Sequence, residues 1–434
     1  MSDDAITELT VHDVRFPTSR TLAGSDALNL DPDYSATYVV VRVGEDGPSG
    51  HGLAFTNGRG NEICVTAVEA LRHHVVGRSL SGIFDDLNGF WRSLVRDTQL
   101  RWLGPEKGIM HMATAAIVNA VWDLEAKRQG LPMWKLLADM PPEQLVAAVE
   151  WSYLSDALTP EQALDLLRER REGMAEREEV LRRTGLPAYT TSAGWLGYGD
   201  DQMVELAREA LDEGFTHLKM KVGGDPDDDL RRARLLREVI GPDNTLMMDA
   251  NQRWDVGEAI TRMRGLAEVR PWWIEEPTNP DDVLGHARIA EAIDPIVVAT
   301  GENAHNRVMF KQLLQAGGMG IVQIDACRVA GVNEVLGVLL LAAAFDKPVC
   351  PHAGGVGLCE YVQHLAAFDY LCLSGTQEGR LVEYVDHLHE HFVDPVVAEG
   401  GRYRTPLEPG YSVELHPESI TRYSFPHGAE WTTS

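Results

Sequence analysis

The chain has 434 residues, of which 44% are hydrophobic and 24% are charged, a balance typical of a globular protein with enough core for two domains. Its formal net charge of −27 argues against nucleic acid or an anionic membrane as a partner, because like charges repel. An anionic small substrate is not excluded, since a bound cation can reverse the local field.

The cysteine pattern and the first residues indicate a reducing compartment. No CxxC pair occurs among the five cysteines, so neither a disulfide framework nor a zinc ribbon is predicted. The opening residues MSDDAITELT contain no basic-then-apolar leader. The most apolar run, Val335 to Phe345, is about half the length that spanning a bilayer needs. We therefore expect a cytoplasmic protein with reduced thiols.

Residues 1–150 are predicted to form an α+β domain. ELTVHDVRF and ATYVVVRV are strand-like, and the loop between them, TLAGSDALNLDPDYS, is too long for a tight hairpin. Helical periodicity follows from Glu62 to Gly130, with the glycine placed as a C-cap. Beyond this domain, the charged segment PEQALDLLRERREGMAEREEVLRRTG also predicts a helix. Its first residue, Pro160, lies where the first turn of a helix tolerates proline.

From about Thr190 onwards, short β-rich runs alternate with amphipathic helical runs, which is typical of repeated βα units. The strand-like runs are HLKMKVG, NTLMMDAN, PWWIEEP, IVVATGEN, IVQIDACR and KPVCPHAG, with LCLSG as a candidate eighth strand. The α/β class is therefore predicted, with a modified (β/α)8 TIM-type barrel over residues 151–385 and an N-terminal α+β capping domain. Residues 386–434 lack the alternation, and we expect them to pack back on the capping domain.

Most strand-like runs end in a polar residue that a buried strand does not otherwise need. From Lys221 onwards these residues are 23 to 28 positions apart, close to one βα repeat. Because the C-terminal ends of barrel strands converge on one mouth, we expect their side chains to share a pocket. The set comprises Lys219, Lys221, Asp249, Glu275, Glu302, Asp325 and His352.

Three acidic residues of this set predict a metal site. Asp249, Glu275 and Glu302 lie on consecutive units, and without a cation they would repel one another. Oxygen ligands favour Mg²⁺ over zinc. Each acid alone could instead cap a helix, but three at equivalent positions favour the metal.

Basic and imidazole groups at the same strand ends predict acid–base chemistry. Lys219 and Lys221 are two residues apart, so on a strand they face the same side. Side by side near a metal, they should lower each other's pKa, as suits a base. The alternative is a pair of surface lysines. Asp325 could hold the imidazole of His352 as a general acid or base, although a lone histidine is more often structural. After His352, either Glu378 or Glu383 could be the polar residue of the eighth unit, and the spacing alone does not decide between them.

The order KxK, DAN, WIEEP, TGEN and then Asp and His on the next two units resembles the enolase superfamily, in its mandelate-racemase-like branch, over essentially the whole chain. Within that branch the segments DPDYSATYVVV, LRWLGPEKG, AYTTSAGWLGY, LMMDANQRWD, NRVMFKQLLQA, CPHAGGVGLCE and EYVDHLHEHF resemble L-fuconate dehydratases. The resemblance covers every polar strand-end position.

The resemblance implies a role for each matching residue. Lys221 would remove the proton α to the substrate carboxylate, with Lys219 tuning it. His352, oriented by Asp325, would protonate the departing 3-hydroxyl, and Glu383 would lie beside the enolate oxygen. Mg²⁺ would be held by Asp249, Glu275 and Glu302, while the sugar would contact Gly24, Ser25, Asp26, Tyr34, Lys219, Asn251 and Glu383.

The implied activity is that of a hydro-lyase: Mg²⁺-dependent dehydration of an acid sugar, with L-fuconate converted to 2-keto-3-deoxy-L-fuconate. Three alternatives remain open: dehydration of another acid sugar, racemisation or epimerisation at C2, and a barrel that binds a metabolite without catalysis. The resemblance also implies a symmetric homo-oligomer, with a small-molecule substrate and neither nucleic acid nor membrane as a partner.

Overall fold

The computed structural model describes residues 4–45 and 47–432. The strands within these ranges are β1 (Ile6–Arg15), β2 (Ser35–Val43), β3 (Ser49–Thr56), β4 (Leu186–Thr190), β5 (His217–Lys221), β6 (Thr245–Asp249), β7 (Pro271–Glu275), β8 (Val297–Thr300), β9 (Ile321–Val322), β10 (Val382–Tyr384), β11 (Ala398–Glu399) and β12 (Arg402–Tyr403).

The α-helices of the first part are α1 (Asn61–Leu71), α2 (Leu80–Asp85), α3 (Leu87–Val95), α4 (Gly108–Gln129), α5 (Met133–Asp139), α6 (Pro142–Ala148), α7 (Pro160–Glu169) and α8 (Met174–Thr184). Those that follow are α9 (Asp200–Asp212), α10 (Pro226–Ile240), α11 (Val256–Leu266), α12 (Val283–Ile293), α13 (Arg307–Gln315), α14 (Val332–Ala344), α15 (Leu358–Asp369), α16 (Pro417–Tyr423) and α17 (Ala429–Thr432). Short 3₁₀ turns cover Thr18–Arg20, Arg72–His74, Leu100–Trp102, Ala267–Val269 and His389–His391.

The N-terminal sheet is antiparallel, in the order β1-β2-β3, and α4 packs directly on it. Two glycines of β3 permit this contact: a Cβ added to Gly50 would lie 2.1 Å from the carbonyl oxygen of Ala120, and one on Gly52 would lie 2.2 Å from that of Ala116. Helix α4 is buried continuously from His111 to Ala126, which explains why its sequence shows no separate solvent-facing polar side.

The barrel strands β4 to β9 are parallel and follow one another in chain order, and β10 returns to pair with β4. Between β9 and β10, the seventh position is a single bridge from Val322 to Val349. There the amide of Leu381 donates to Cys350 Sγ at 3.4 Å. Side chains from the strands fill the interior: Tyr189, Met247, Trp273, Ala299, Ile321, Cys350 and Leu381. The structure thus confirms the α/β class, with a capping domain and a barrel.

Two of the predicted strands differ in the structure. LCLSG is not a strand: Tyr370–Ser374 is a π-helical turn that continues α15, and the eighth strand is β10. Its leucines and cysteine are buried, and a short apolar run does not distinguish a buried helix from a strand. KPVCPHAG contributes only the bridge at Val349, because Pro348 and Pro351 lack the N–H that a ladder needs.

Other predictions agree in part. The strands β1 and β2, the C-cap at Gly130 and the first-turn position of Pro160 are confirmed. The charged segment after Pro160 forms two helices, α7 and α8, because Gly173 adopts a left-handed φ of 71° between them. Strand β3 was not predicted, since its two glycines and the turn-rich EDGPSGHG obscure the pattern.

The C-terminal segment contacts both parts of the molecule. The amide of Phe425 donates to the carbonyl of Asp13 at 2.8 Å, and the amide of Leu415 donates to Tyr38 Oη at 2.9 Å. Strand β12, however, pairs with the first barrel strand, with Tyr403 opposite Leu186. These contacts support the division into residues 1–150, 151–385 and 386–434, which we retain as a proposal.

None of the helices in the described ranges combines the length and the apolar character needed to cross a membrane.

A buried carboxylate joins the capping domain to the barrel. Glu334 on α14 accepts from His111 on α4 (2.5 Å) and from the amide and the guanidinium of Arg307 on α13 (both 3.0 Å). Its side chain is fully buried. Burial acts to raise its pKa, but His111 and Arg307 lower it to about 2. The contribution to stability is therefore present above the unfolded-state pKa and is lost as the pH falls towards 2.

Replacing Glu334 by alanine is expected to reduce the free energy of unfolding by about 3–5 kcal/mol, because Arg307 and His111 would stay buried without their partner. Urea unfolding at neutral pH measures this loss. The control is Glu258→Ala, which removes an exposed i,i+4 pair with Arg262 and should change stability by less than about 0.5 kcal/mol. Equal losses in both variants would contradict the role assigned to Glu334.

Candidate active site

The predicted polar residues meet at the C-terminal edge of the barrel. Lys221, Asp249 and Glu275 are the last residues of β5, β6 and β7. Glu302, Asp325 and His352 follow β8, β9 and the bridge at Val349, and Glu383 lies within β10. Each strand end places one or two side chains at this edge. Lys219 and Glu383, which are 164 positions apart in the sequence, are therefore neighbours in the structure.

Three carboxylates form a compact cluster. One oxygen each from Asp249, Glu275 and Glu302 lies within 4.8 Å of the others. Burial, together with the charge of Asp249, raises the pKa of Glu275 to about 8. Among the residues that the structure describes, Glu302 Oε2 finds no hydrogen-bond donor although it is buried. Oxygen donors at this spacing, one of them unsatisfied, fit a hard divalent cation such as Mg²⁺.

Both lysines form ion pairs with buried carboxylates of the site. Lys219 Nζ lies 2.8 Å from Glu275 and 2.8 Å from Glu383, and Lys221 Nζ lies 2.5 Å from Asp249. Burial acts to lower both pKa values, but the neighbouring carboxylates raise them above the ordinary lysine value. Lys219 does act to lower the pKa of Lys221, as predicted, but the charges of the carboxylates outweigh this effect.

Asp325 and His352 form a hydrogen-bonded dyad. His352 Nδ1 lies 2.8 Å from Asp325 Oδ2, while Asp325 Oδ1 accepts from the amides of Cys327 (2.7 Å) and Arg328 (2.8 Å). On the other side of the imidazole ring, His352 Nε2 is 3.4 Å from Glu302 Oε2. Burial acts to lower the pKa of His352, but Glu302 and Asp325 raise it to about 10. The imidazole is thus oriented with Nε2 towards the carboxylate cluster.

Glu383 belongs to the same site, whereas Glu378 does not. Glu383 accepts from Thr191 Oγ1 at 2.6 Å and from the amide of Ala353 at 2.7 Å, in addition to Lys219. Burial opposes ionisation, but Lys219 and His352 hold the pKa of Glu383 well below its usual range. Glu378 is exposed at the other end of β10. The geometry therefore agrees with the choice of Glu383.

A cavity of about 250 Å³ opens above these groups. Five of the predicted substrate-binding residues line it: Gly24, Asp26, Tyr34, Asn251 and Glu383. Lys221, Glu302, His352 and Glu383 line it from the barrel side, while Lys219, Asp249, Glu275 and Asp325 lie buried beneath. Gly24 has a φ of 82°, and a Cβ there would come within 2.3 Å of Tyr34 Oη, so glycine is required.

Ser25 is placed differently from its neighbours. Its Oγ accepts from the amide of Gly197 at 3.0 Å, and its carbonyl accepts from the amide of Leu196 at 3.1 Å. It therefore ties the capping-domain loop to the segment that follows β4, and it is not among the residues that line the cavity. A direct sugar contact by Ser25 stays a prediction.

Sequence reasoning missed several lining residues. Trp195 lies under the ammonium of Lys221, 5.5 Å from Nζ to the ring centroid. Thr191, which donates to Glu383 beneath the cavity, was also missed; it follows the first barrel strand and extends the regular series of strand-end residues by one unit, so its position could have revealed it. The remaining missed residues are Phe55 on β3 and seven residues from loops without a regular period: Leu28, Asn29, Asn57, Gln252, Asn303, Arg328 and Gly354.

Comparisons with known proteins agree with this geometry. The family described as "Enolase C-terminal domain-like" matches residues 202–419, and "Mandelate racemase / muconate lactonizing enzyme, N-terminal domain" matches residues 26–138. The chain belongs to the enolase superfamily.

Two full-length relatives are similar to this enolase-superfamily chain. L-Galactonate dehydratase of Hypocrea jecorina is 52% identical over all of this chain and 97% of its own length. The crystal structure of human mitochondrial enolase superfamily member 1 has a TM-score of 0.97 and 55% identity, covering 99% of this chain and 98% of that one.

The L-talarate/galactarate dehydratase of Salmonella typhimurium has a TM-score of 0.75 and 25% identity over 98% of this chain and 92% of its own. A mutant of that enzyme is solved with Mg and L-glucarate bound. Two of the three relatives are thus named as dehydratases of acid sugars, which supports a hydro-lyase acting on an acid sugar as the enzyme class of the chain.

A second buried acid supports the metal cluster of this enolase-superfamily site. Glu276 accepts from Gln252 Nε2 at 2.8 Å and from Asn303 Nδ2 at 3.0 Å, and the same Asn303 amide donates to Glu302 Oε1 at 3.0 Å. Asn251, Gln252 and Glu276 all have positive φ, between 40° and 64°. Strained backbone of this kind persists where surrounding contacts determine it, as at binding sites.

Replacing Glu276 by glutamine is expected to weaken Mg²⁺ binding by about 10- to 100-fold, because an amide there offers Asn303 and Gln252 one acceptor atom in place of two. Titration calorimetry measures the Kd for Mg²⁺, with circular dichroism to check the fold. Glu291→Gln, which changes an exposed glutamate on α12, is the matched control. An unchanged Kd in Glu276→Gln would exclude this role.

Proposed function

We propose that the protein catalyses the Mg²⁺-dependent dehydration of aldonic acids with the L-galacto configuration, namely L-galactonate and its 6-deoxy form, L-fuconate. The products are the corresponding 2-keto-3-deoxy acids. The observation that carries the proposal is the arrangement of Lys221 and the His352–Asp325 dyad around one carboxylate cluster at the base of a cavity. This arrangement supplies a base and an acid to one small, anionic ligand.

The substrate proposal combines two similarities. Segments of the chain resemble L-fuconate dehydratases, whereas a relative 52% identical along the whole chain is named L-galactonate dehydratase. The two acids share the configuration at C2 to C5 and differ only at C6, which carries a methyl group in one and a hydroxymethyl group in the other. Chemistry at C2 and C3 is therefore the same for both.

Asp249, Glu275 and Glu302 are the residues that would hold Mg²⁺. Enolase-superfamily sites pair a lysine or histidine base with one or two Mg²⁺ ions. When bound, the ion supplies positive charge next to the substrate carboxylate, where negative charge develops as the α-proton leaves. Glu276 and Asn303 keep Glu302 oriented for this purpose.

Lys221 is the proposed base. Its Nζ takes the proton from C2, and the electron pair of that C–H bond moves into the developing enolate. Lys221 must accept the proton in its neutral form, so the Asp249 charge that raises its pKa has to be offset by a cation. Lys219 Nζ, placed between Glu275 and Glu383, donates hydrogen bonds to both carboxylates and fixes their positions.

His352 is the proposed acid. Its Nε2 gives a proton to the 3-hydroxyl as the C3–O bond breaks, so that water leaves and a C2=C3 double bond forms. Asp325 accepts from Nδ1 and keeps the ring in the orientation that presents Nε2. The enol then takes up a proton at C3 and releases the proton of its C2 hydroxyl, which gives the ketone. Asp26, Tyr34 and Asn251 would contact the hydroxyl groups of the sugar.

The setting of the enzyme is also a proposal. Five buried free thiols suit a reducing compartment such as the cytoplasm, whereas the human relative carries "mitochondrial" in its name. A symmetric homo-oligomer rests on the superfamily resemblance alone, and light scattering would measure its mass.

The test of substrate and reaction is keto-acid formation from a panel of acid sugars, followed by carbonyl derivatisation. L-Galactonate and L-fuconate should be the best substrates, with kcat/KM values within about 100-fold of each other, since one C6 substituent is worth about 1–3 kcal/mol. Chelation should stop turnover and Mg²⁺ should restore it. No keto acid from any sugar, together with formation of the C2 epimer carrying solvent deuterium at C2, would establish epimerisation instead.

Lys221→Ala is expected to lower kcat by about 10²- to 10⁴-fold or more, because the general base is removed. The same variant should lose exchange of the C2 proton with deuterated solvent, which isolates proton removal from the loss of water. Lys135→Ala, which changes a lysine paired with Asp139 on the outer surface, is the control. Near-normal exchange in Lys221→Ala would show that another group is the base.

A further inference from the structure

A second group of metal-ligating side chains lies in the capping domain, apart from the barrel mouth. His73 and His74 are on the 3₁₀ turn that follows α1, and Asp97 comes just after α3. His74 Nε2 is 2.9 Å and His73 Nε2 is 3.6 Å from the same oxygen, Asp97 Oδ2. All three ligand atoms lie within 4.8 Å of one another.

The backbone orients two of these three groups. Ala70 O lies 3.0 Å from His73 Nδ1, so that nitrogen carries the proton and the lone pair of Nε2 is left facing Asp97. Asp97 Oδ1 accepts from the amides of Gln99 (2.9 Å) and Leu100 (2.8 Å), which leaves Oδ2 for the imidazoles. A hydrogen bond on the far side of a ligand is the usual way in which proteins aim it at a metal.

The spacing fits a small tetrahedral ion. Bonds of about 2.0–2.1 Å to nitrogen and oxygen place neighbouring ligand atoms about 3.3–3.4 Å apart. The two distances to Asp97 Oδ2, 2.9 and 3.6 Å, lie on either side of that value. His73 is 62% exposed at its side chain, so a fourth position would be open to water. Two imidazoles favour zinc, copper or nickel over Mg²⁺.

We propose that His73, His74 and Asp97 bind a divalent transition-metal ion of the zinc type, separately from the Mg²⁺ site. The ion would join the end of α1 to the segment that follows α3. That segment leads to Glu106, whose Oε2 lies 2.7 Å from Arg307 on the barrel helix α13. Metal binding would therefore hold the part of the capping domain that contacts the barrel.

The test is calorimetric titration of the full-length protein with Zn²⁺ in an excess of Mg²⁺, which keeps the barrel site filled. The wild type should bind one Zn²⁺, and His73→Ala should bind it about tenfold more weakly or not at all. Because His73 is exposed, its removal leaves the fold intact. His305→Ala, from the isolated His305–Asp281 pair, is the matched control and should bind like the wild type.

Thermal unfolding gives a second, independent measurement. Zn²⁺ should raise the Tm of the Mg²⁺-loaded wild type and of His305→Ala, but not that of His73→Ala, since a ligand stabilises only the state that binds it. Equal Zn²⁺ affinities in wild type and His73→Ala, or no Zn²⁺ bound by the wild type, would overturn the proposal. The cluster would then be an ion pair between His74 and Asp97 with a neighbouring histidine.

Discussion

The crowding of negative charge at the barrel mouth is the constraint on which the rest of the site depends. Asp249 and Glu275 are completely buried, and their oxygens lie within 4.8 Å of those of Glu302. At that separation, with little water nearby, like charges repel by several kcal/mol unless positive charge is placed among them. Lys219 and Lys221 provide part of it, and a divalent cation would provide the rest. The rigid strand ends of a parallel barrel hold the groups against this repulsion.

The capping domain completes the site because it is fixed to the barrel at several points. Ser25 hydrogen-bonds to the segment after β4, and Glu334 joins α4 to α13 and α14. The loop between β1 and β2 is thereby held over the cavity in one position. A wall that is ordered before the substrate arrives loses less conformational entropy on binding. This is the physical benefit of building the site between two domains that share buried contacts.

The strand-end residues were predictable because two regularities coincide in the sequence. A polar residue at the end of an apolar run recurs at the period of a βα unit, and topology brings such positions together. The parts that were not predicted lack a period. LCLSG is apolar and short, so its helical state depends on its burial next to α15, which the sequence does not display. The lining residues Asn57 and Trp195 lie in loops whose course depends on contacts between the domains.

The net shift of the lysine pKa values could not be predicted for a related reason. Two lysines next to each other on a strand suggest mutual lowering, but the outcome depends on every charge within a few ångströms. Asp249 touches Lys221, and Glu275 and Glu383 both touch Lys219. Those distances are set by the strands β6, β7 and β10, far away in sequence. Sequence therefore identified the groups, while the balance of charge among them required the fold.

The proposed tolerance for two acids that differ at C6 is explained by the exposure of the cavity wall. The capping-domain wall includes Leu28 and Asn57, which are both exposed, and Asn29, which is partly so. When a substrate lacks a hydroxyl group, an exposed side-chain amide can hydrogen-bond to water instead, so little binding free energy is lost. A buried amide would be left without a hydrogen-bond partner. We infer that a C6 group near this wall is weakly discriminated. Under the proposed function, L-fuconate and L-galactonate would be two substrates of one site, and the choice between them would depend on which acid is supplied.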